Sequence, residues 1–543
     1  MSLTQTQTTV QYELPEVGTM ASVTTPQAAS RTEVGIENGV PIPSLRRRIF
    51  HVAPSNVMGR YRKLIVTVLI ITRAPPKMIS NIVGIAAGLR VSELLGVTNA
   101  AQANWLFASY GLTQGTFVLI SGRLGAVFGH KNMLLGGGAW FVFWSLINAF
   151  CDDFISFNIV RALTGIGGAL ILPNAVAMIG ITNPPGKTRN LSLGFFGASA
   201  PIGGWFGSIL CGLFIQYASW HWFFYTMAIM GGCVFGTLAF LLPPEIPVDK
   251  NGKVDWVGAT LGCSGLIVFN FVWNQAPAVG WNTPYEIALL VLSIVLLAVF
   301  ALWEQKWASA PIMPLDIWKA PSFLPLVFVT LLSFMSFGTT LWYSTAWEQN
   351  IRHWDVLEFA IGWTPFGIFA TIAACFSAWL IPRLAAQYIM AIGVLTLLVS
   401  SIIIVTMPEQ QSYWAQYFPA TILNSFCPDL VFTAAQIIAS NSVRREEQGI
   451  AGSLIGILNL YGNSLGVGFA GTVEEYVNKG KPSLVVGYRA ALYFGIVIGV
   501  VALIVDLWFV RMAKDEREGW TDPRDESEPV LEVADATGFS LET

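Results

Sequence analysis

Residues 384–407 read LAAQYIMAIGVLTLLVSSIIIVTM, a largely apolar run without one Asp, Glu, Lys or Arg, bounded by Arg383 before it and Glu409 after it. About 20 such residues, wound as a helix rising about 1.5 Å per residue, cross the hydrocarbon core of a bilayer. The run lacks strand-like alternation, and a backbone in lipid must satisfy its own hydrogen bonds, so helix is the required form. Comparable runs recur along the chain at 64–89, 104–122, 133–150, 155–180, 191–217, 222–243, 257–274, 286–304, 323–346, 358–380, 415–440, 450–473 and 486–510. Fourteen spans are therefore expected, making an all-α polytopic membrane protein.

Composition agrees. Of 543 residues, 54% are hydrophobic and only 12% charged, against roughly a quarter charged in a soluble protein. The net charge of -3 and the absence of a basic stripe exclude a nucleic-acid partner; the short cluster Arg46, Arg47 and Arg48 suits anionic headgroups. Six cysteines (Cys151, Cys211, Cys233, Cys263, Cys375 and Cys427) stand singly and read as buried small hydrophobes. Four histidines (His51, His130, His221 and His353) lie in separate segments, so no metal or catalytic cluster is expected. No G-x-x-x-x-G-K-[ST] loop occurs, which removes an ATP-driven pump. Neither an enzyme nor a bound cofactor is expected.

An even number of spans puts both ends on one side. Basic residues gather in alternate loops, at Arg60, Arg62 and Lys63, then Arg123 and Lys131, Lys187 and Arg189, Lys250 and Lys253, Lys306 and Lys319, Arg383, Arg444 and Arg445, and Arg511, Lys514 and Arg517. The positive-inside rule makes that side cytoplasmic. Residues 1–60 and 512–543 are polar and read as disordered cytoplasmic tails. The sequon at Asn190 then falls in a cytoplasmic loop and should stay unglycosylated. Trp220, Trp222, Trp303, Trp307, Trp347 and Trp508 fall near span ends, as an interfacial belt requires. The loop Pro185–Arg189 leading into Gly-rich span five is echoed by Val443–Gly449 leading into span thirteen. Two six-helix halves, 61–245 and 311–511, with two inserted helices in 246–310, account for the echo.

The segment Gly122-Arg123-Leu124-Gly125-Ala126-Val127-Phe128-Gly129-His130-Lys131 makes a tight basic turn between spans two and three. It resembles the cytoplasmic signature of the major facilitator superfamily, and fourteen spans make the fungal drug:proton antiporters, in their aminotriazole-resistance-like branch, the nearest group. In that family the position of Ala126 usually holds an Asp that latches one state. Arg161, in Arg161-Ala-Leu-Thr-Gly165-Ile-Gly167-Gly168, looks like the fourth-helix signature, whose Arg is associated with proton coupling; Thr164 stands where Gln is more usual. In span five, Gly197, Pro201, Gly203 and Gly204 resemble the antiporter signature, with Ala200 where Gly is preferred. The residues alone allow a plainer reading, a small-residue face for close helix packing bent at the proline.

Asp429, near the middle of span twelve, reads as the most deeply placed carboxylate and a candidate for proton uptake and release; a structural Asp beside Pro428 is the competing reading. Arg161 and Asp429 are expected to face one central cavity from opposite halves. Asn270, Trp273, Asn274, Tyr343 and Glu348 are weaker candidates for a substrate path, with an ordinary interfacial placement preferred. Span one departs from the family: Arg73-Ala74-Pro75-Pro76-Lys77 interrupts it, so it is either broken or wrongly spliced. The resemblance implies a monomeric plasma-membrane exporter of a small toxic solute or metabolite coupled to protons. A proton-coupled or facilitative importer and a transport-inactive membrane sensor are the alternatives.

Overall fold

The computed structural model describes residues 65–511, apart from residues 71–73, 98, 184–186, 243, 244, 246, 248, 251, 309, 314, 321, 382, 444–447 and 480–482. Both expected tails and the cluster Arg46–Arg48 lie outside the described residues, as does Arg73.

Helices stand at all fourteen expected positions. They are α1 (Ala74–Ala86) with α2 (Gly88–Leu94), α3 (Ala100–Phe128), α4 (His130–Asn148), α5 (Phe154–Thr182), α6 (Lys187–Tyr217) and α7 (Trp220–Leu241) in the amino half. The inserted pair is α8 (Trp256–Val279) and α9 (Pro284–Lys306). The carboxy half holds α10 (Phe323–Ala346), α11 (Val356–Gly362) with α12 (Thr364–Leu380), α13 (Ala386–Val405), α14 (Tyr417–Ser442), α15 (Gln448–Asn478) and α16 (Leu484–Phe509). Among the described residues, 11 of these segments are long and apolar enough to cross a membrane. Span one, α3 and α4 are the three that fall short; in α3 the cause is local, since Asn104, Thr113, Gln114, Thr116 and Ser121 stand on buried faces and lower its average hydropathy.

The expected interruption of span one falls partly outside the described residues; from Ala74 to Ala86, Pro75 and Pro76 included, the chain is helical. A break falls at Ala87, with φ -123° and ψ 3°, between α1 and α2.

Caps set several other boundaries. Asp153 accepts from the backbone N–H of Ser156 at 2.9 Å and starts α5. Asp255 accepts from Gly258 N–H at 2.9 Å to start α8, and its second oxygen takes the Trp303 indole N–H at 2.9 Å, tying α8 to α9. Gly129, with φ +95°, turns α3 into α4, a conformation that other residues adopt only at a cost.

Packing holds α3, α4 and α5 together in one half and α12, α13 and α14 in the other, while α3 and α15 meet across the halves. α8 lies against both α3 and α15 and so straddles the seam, and the main contact of α9 is α8. At the ends placed outside by the expected topology, a Cβ on Gly212 of α6 would come within 2.6 Å of Leu357 Cα on α11. Deeper in, the Trp205 indole donates to Thr364 at 3.1 Å.

Two expectations need correction. Cys211, Cys263 and Cys427 are buried, but Cys233 and Cys375 are exposed on helix faces and Cys151 is half-buried; lipid is as apolar as a core, so a thiol is tolerated on either side. Trp347 and Trp220 are buried, inside the helix bundle and not in an interfacial belt, whereas Trp222, Trp307 and Trp508 are exposed.

Candidate transport site

The basic turn between α3 and α4 is an anchor for the chain that follows α7. Arg123 donates to the Lys253 carbonyl from Nε at 3.1 Å and Nη2 at 2.8 Å, and its Nη1 meets Asp249 Oδ2 at 2.9 Å. Backbone N–H groups of His130 and Lys131, at the free start of α4, donate to the Glu245 carboxylate at 3.1 and 2.5 Å. A helix N-terminus carries unsatisfied donors and a positive dipole end, so an acidic side chain fits there. The Lys131 ammonium caps the end of α7 through the Leu242 carbonyl at 2.8 Å. His130 Nδ1 meets Asn174 Oδ1 at 2.8 Å, and a Cβ at Gly125 would fall on that same oxygen. Ala126 contributes its carbonyl, which accepts from Asp249 N–H at 2.9 Å. Glu245, Asp249 and Asn174 were missed in the sequence. The two acids sit in a loop noted only for its lysines.

Arg161 is fully buried within the amino half, so it does not snorkel to headgroups. Its Nη1 donates to the Ser80 carbonyl on α1 at 3.1 Å, and its Cζ lies 5.5 Å from the centre of the Tyr110 ring on α3. The glycines of its motif seat neighbouring helices: a Cβ on Gly167 would come within 2.8 Å of Phe141 N on α4, and one on Gly168 within 2.6 Å of Tyr110 Oη. Thr164 turns back on its own helix, donating to the Val160 carbonyl at 2.8 Å.

Asp429 lies deep within α14 and keeps some accessible surface, whereas Glu348, Glu286 and Asp506 have almost none. Depth along a helix axis is legible in sequence; which face turns inward is not. Asp429 falls on a stripe of α14 with Thr433, Gln436 and Ser440, spaced four, three and four residues apart and all half-buried. Arg161 and Asp429 form no ion pair with each other.

Of the weaker candidates, Asn270, Asn274, Tyr343 and Glu348 are buried and Trp273 is half-buried, against the interfacial placement preferred for them. Residues 347–351 form a π-helical turn, a widened turn often met at functional sites, and its side chains fan out to separate partners. Trp347 lies under the Arg489 guanidinium, 5.5 Å from Cζ. Glu348 pairs with Arg352 at 3.2 Å, both side chains nearly inaccessible. Gln349 reaches the Ala86 carbonyl at 2.6 Å, and Asn350 donates to the Tyr488 hydroxyl at 2.7 Å. One turn earlier, the buried Tyr343 hydroxyl donates to Glu474 Oε2 at 2.7 Å. Asn270 and Asn274 are knit to Ser464 of α15: its hydroxyl donates to Asn270 Oδ1 at 2.9 Å, and Asn274 Nδ2 donates to the same Asn270 oxygen at 2.7 Å. Trp273 stacks on Phe469 with ring centres 3.6 Å apart. These three bind α8 to α15 and fill helix contacts. In α6, by contrast, a side chain added at Gly197 or Gly204 meets nothing within 4 Å. The small-residue face around Pro201 therefore does not serve close packing there; Gly203 beside it is buried.

Two halves of membrane helices, with ionisable groups buried within each and a loop anchor on one side, make the architecture of a polytopic membrane transporter. Residues 74–467 and 366–539 match the Major Facilitator Superfamily model, and the chain belongs to that superfamily. An uncharacterized MFS-type transporter of Schizosaccharomyces pombe is 39% identical over 76% of this chain and 80% of its own length. The aminotriazole resistance protein of Saccharomyces cerevisiae is 34% identical over 78% and 80%, and the efflux pump terJ of Aspergillus terreus 33% over 76% and 80%. Among solved structures, the POT family transporter PepTSo superposes with a TM-score of 0.62 at 16% identity, covering 84% of this chain and 99% of that one; this likeness is one of fold.

Proposed function

We propose that this protein exports a small solute in exchange for protons, with Arg161 as a fixed cation in the amino half and Asp429 as the proton carrier in the carboxy half. The observation that carries the reading is the isolation of two opposite charges in separate halves, neither with an ion-pair partner among the described residues. An unpaired charge among membrane helices is expensive and marks a pathway for ions or substrate. A guanidinium keeps its proton under ordinary conditions, so Arg161 acts by its charge. The stripe of Thr433, Gln436 and Ser440 offers Asp429 a polar route toward the cytoplasmic end of α14. Gly197 and Gly204, on either side of Pro201, leave room for a solute beside α6. Efflux is favoured by the span-five signature and by the printed name of the relative terJ. The transporter works as a monomer in the plasma membrane with both ends cytoplasmic, a placement supported by the alternation of basic loops.

The test is proton-driven transport in reconstituted vesicles, with Asp429→Asn against the unaltered chain. Loss of coupling with retained solute exchange is expected; undiminished proton-driven flux would remove Asp429 from the mechanism. Internal solute in a deletion strain gives the direction, rising for an exporter and falling for an importer.

A further inference from the structure

Around Arg161 the amino half holds a group of buried polar atoms that its own helices leave without partners. Arg161 uses Nη1 on Ser80, but its Nε and Nη2 have no hydrogen-bond partner. The Tyr110 hydroxyl and both polar atoms of the Gln114 amide are likewise buried and unpartnered. Tyr110 and Gln114 lie one turn apart on α3 and share a face. Their polar ends converge: Tyr110 Oη lies 2.6 Å and Gln114 Nε2 3.1 Å from the point a Cβ on Gly168 would occupy. Gly168 itself is two turns beyond Arg161 on the same side of α5. The other groups named beside Arg161 are the Ser80 carbonyl, the Tyr110 ring and the Cys211 thiol, and none carries a charge while the thiol keeps its proton.

We propose that Arg161, Tyr110 and Gln114 bind a carboxylate carried by the transported solute. Nε and Nη2 are the two donors on the side-on edge of a guanidinium, and their spacing matches the two oxygens of a carboxylate, which they hold by parallel hydrogen bonds. The Tyr110 hydroxyl and the Gln114 amide N–H supply two neutral donors for the remaining lone pairs of such an anion. A buried cation with three of its five N–H donors idle is costly, and an arriving anion removes that cost. An aliphatic amine or a neutral apolar solute offers nothing to this donor set. The substrate class is accordingly a small organic acid in its anionic form. This assignment rests on the reading of the protein as a solute transporter.

The test is thermal unfolding of the purified full-length protein in lipid nanodiscs at fixed ionic strength. Formate, acetate and benzoate are each compared with formamide, acetamide and benzamide, and with chloride. At least one carboxylate should raise the melting temperature saturably while its amide and chloride do not. Arg161→Lys keeps the charge but loses the fork, and should weaken that binding at least tenfold. Tyr110→Phe and Gln114→Leu keep the packing volume and should weaken it several-fold, which guards against a variant that fails through misfolding. Equal shifts from acid and amide, equal shifts from carboxylate and chloride, no shift from any acid, or unaltered binding in Arg161→Lys would each overturn the proposal. Failure of the exporter reading is seen separately: carboxylate binding would persist while proton-driven flux is absent.

Discussion

The Gln349 side-chain amide donates to the backbone carbonyl of Ala86 at 2.6 Å, a single bond that joins the π-helical turn after α10 to the broken first span across the two halves. It lies at the level where Gly212 of α6 receives Leu357 of α11. Together these contacts join the two halves at the end expected to face outside, and any cycle that separates the halves there must break them.

Gln349→Ala should therefore loosen the closed arrangement. A neutral hydrogen bond contributes about 1 kcal/mol, worth a factor of about five in an equilibrium. Cys211, buried beside Gly212, is the reporter, with Cys151, Cys233 and Cys375 changed to Ser. Its modification by an impermeant maleimide added outside should quicken several-fold; an unchanged rate would show that the bond does not hold this face.

Gly125→Ala should destabilise the turn between α3 and α4 well beyond the loss of backbone freedom, because the new methyl displaces Asn174 from His130. Adding Asn174→Ala removes the nearest clash and lets the His130 ring, 2.5 Å from the new methyl, swing away, so the double variant should unfold at a higher temperature than Gly125→Ala alone. Strictly additive losses would contradict the shared contact.

Asp249→Asn should cost little, under about 1 kcal/mol, since the Arg123–Asp249 pair is substantially exposed and screened. Arg123→Ala removes two bonds to the Lys253 carbonyl as well and should cost more. Chemical denaturation in mixed micelles ranks the two; the reverse order would refute the anchoring role.

Ser464→Ala and Asn274→Ala should show a coupling of about 0.5–1.5 kcal/mol in a double-mutant cycle, the range for polar contacts between membrane helices. Ser464 and Asn274 both reach the Asn270 side-chain oxygen. Independent effects would mean that α8 is held to α15 by packing alone.

Asp153 gives a pH dependence. Bonds from the Ser156 backbone N–H, and then from its hydroxyl, hold the Asp153 carboxyl below the usual carboxylate range. The sign follows: a depressed folded value stabilises the native chain above the unfolded value of 3.8, and that contribution is lost as pH falls through the folded value. The melting-temperature gap between the unaltered chain and Asp153→Ala should be widest near neutrality and narrow on acidification below about pH 4. A gap that stays constant from pH 7 to pH 3 would remove the linkage.

The sequence by itself determined the number and positions of the helical segments, the superfamily, and the importance of the turn around Gly125 and Gly129. These are local properties: run length, charge-free stretches, proline and glycine at particular steps. It also flagged Arg161, because a cation inside an apolar run is conspicuous wherever it points. Only the tertiary structure decided what Arg161 touches, that Glu348 and Asn270 are enclosed, that Asp429 keeps some accessible surface, and that Glu245 and Asp249 belong to the basic turn. The reason is physical. In a membrane the outward face of a helix is as apolar as its inward face, so hydropathy carries no mark of which side is buried, and partners such as Ser80 and Arg161, 81 residues apart, are chosen by helix packing alone.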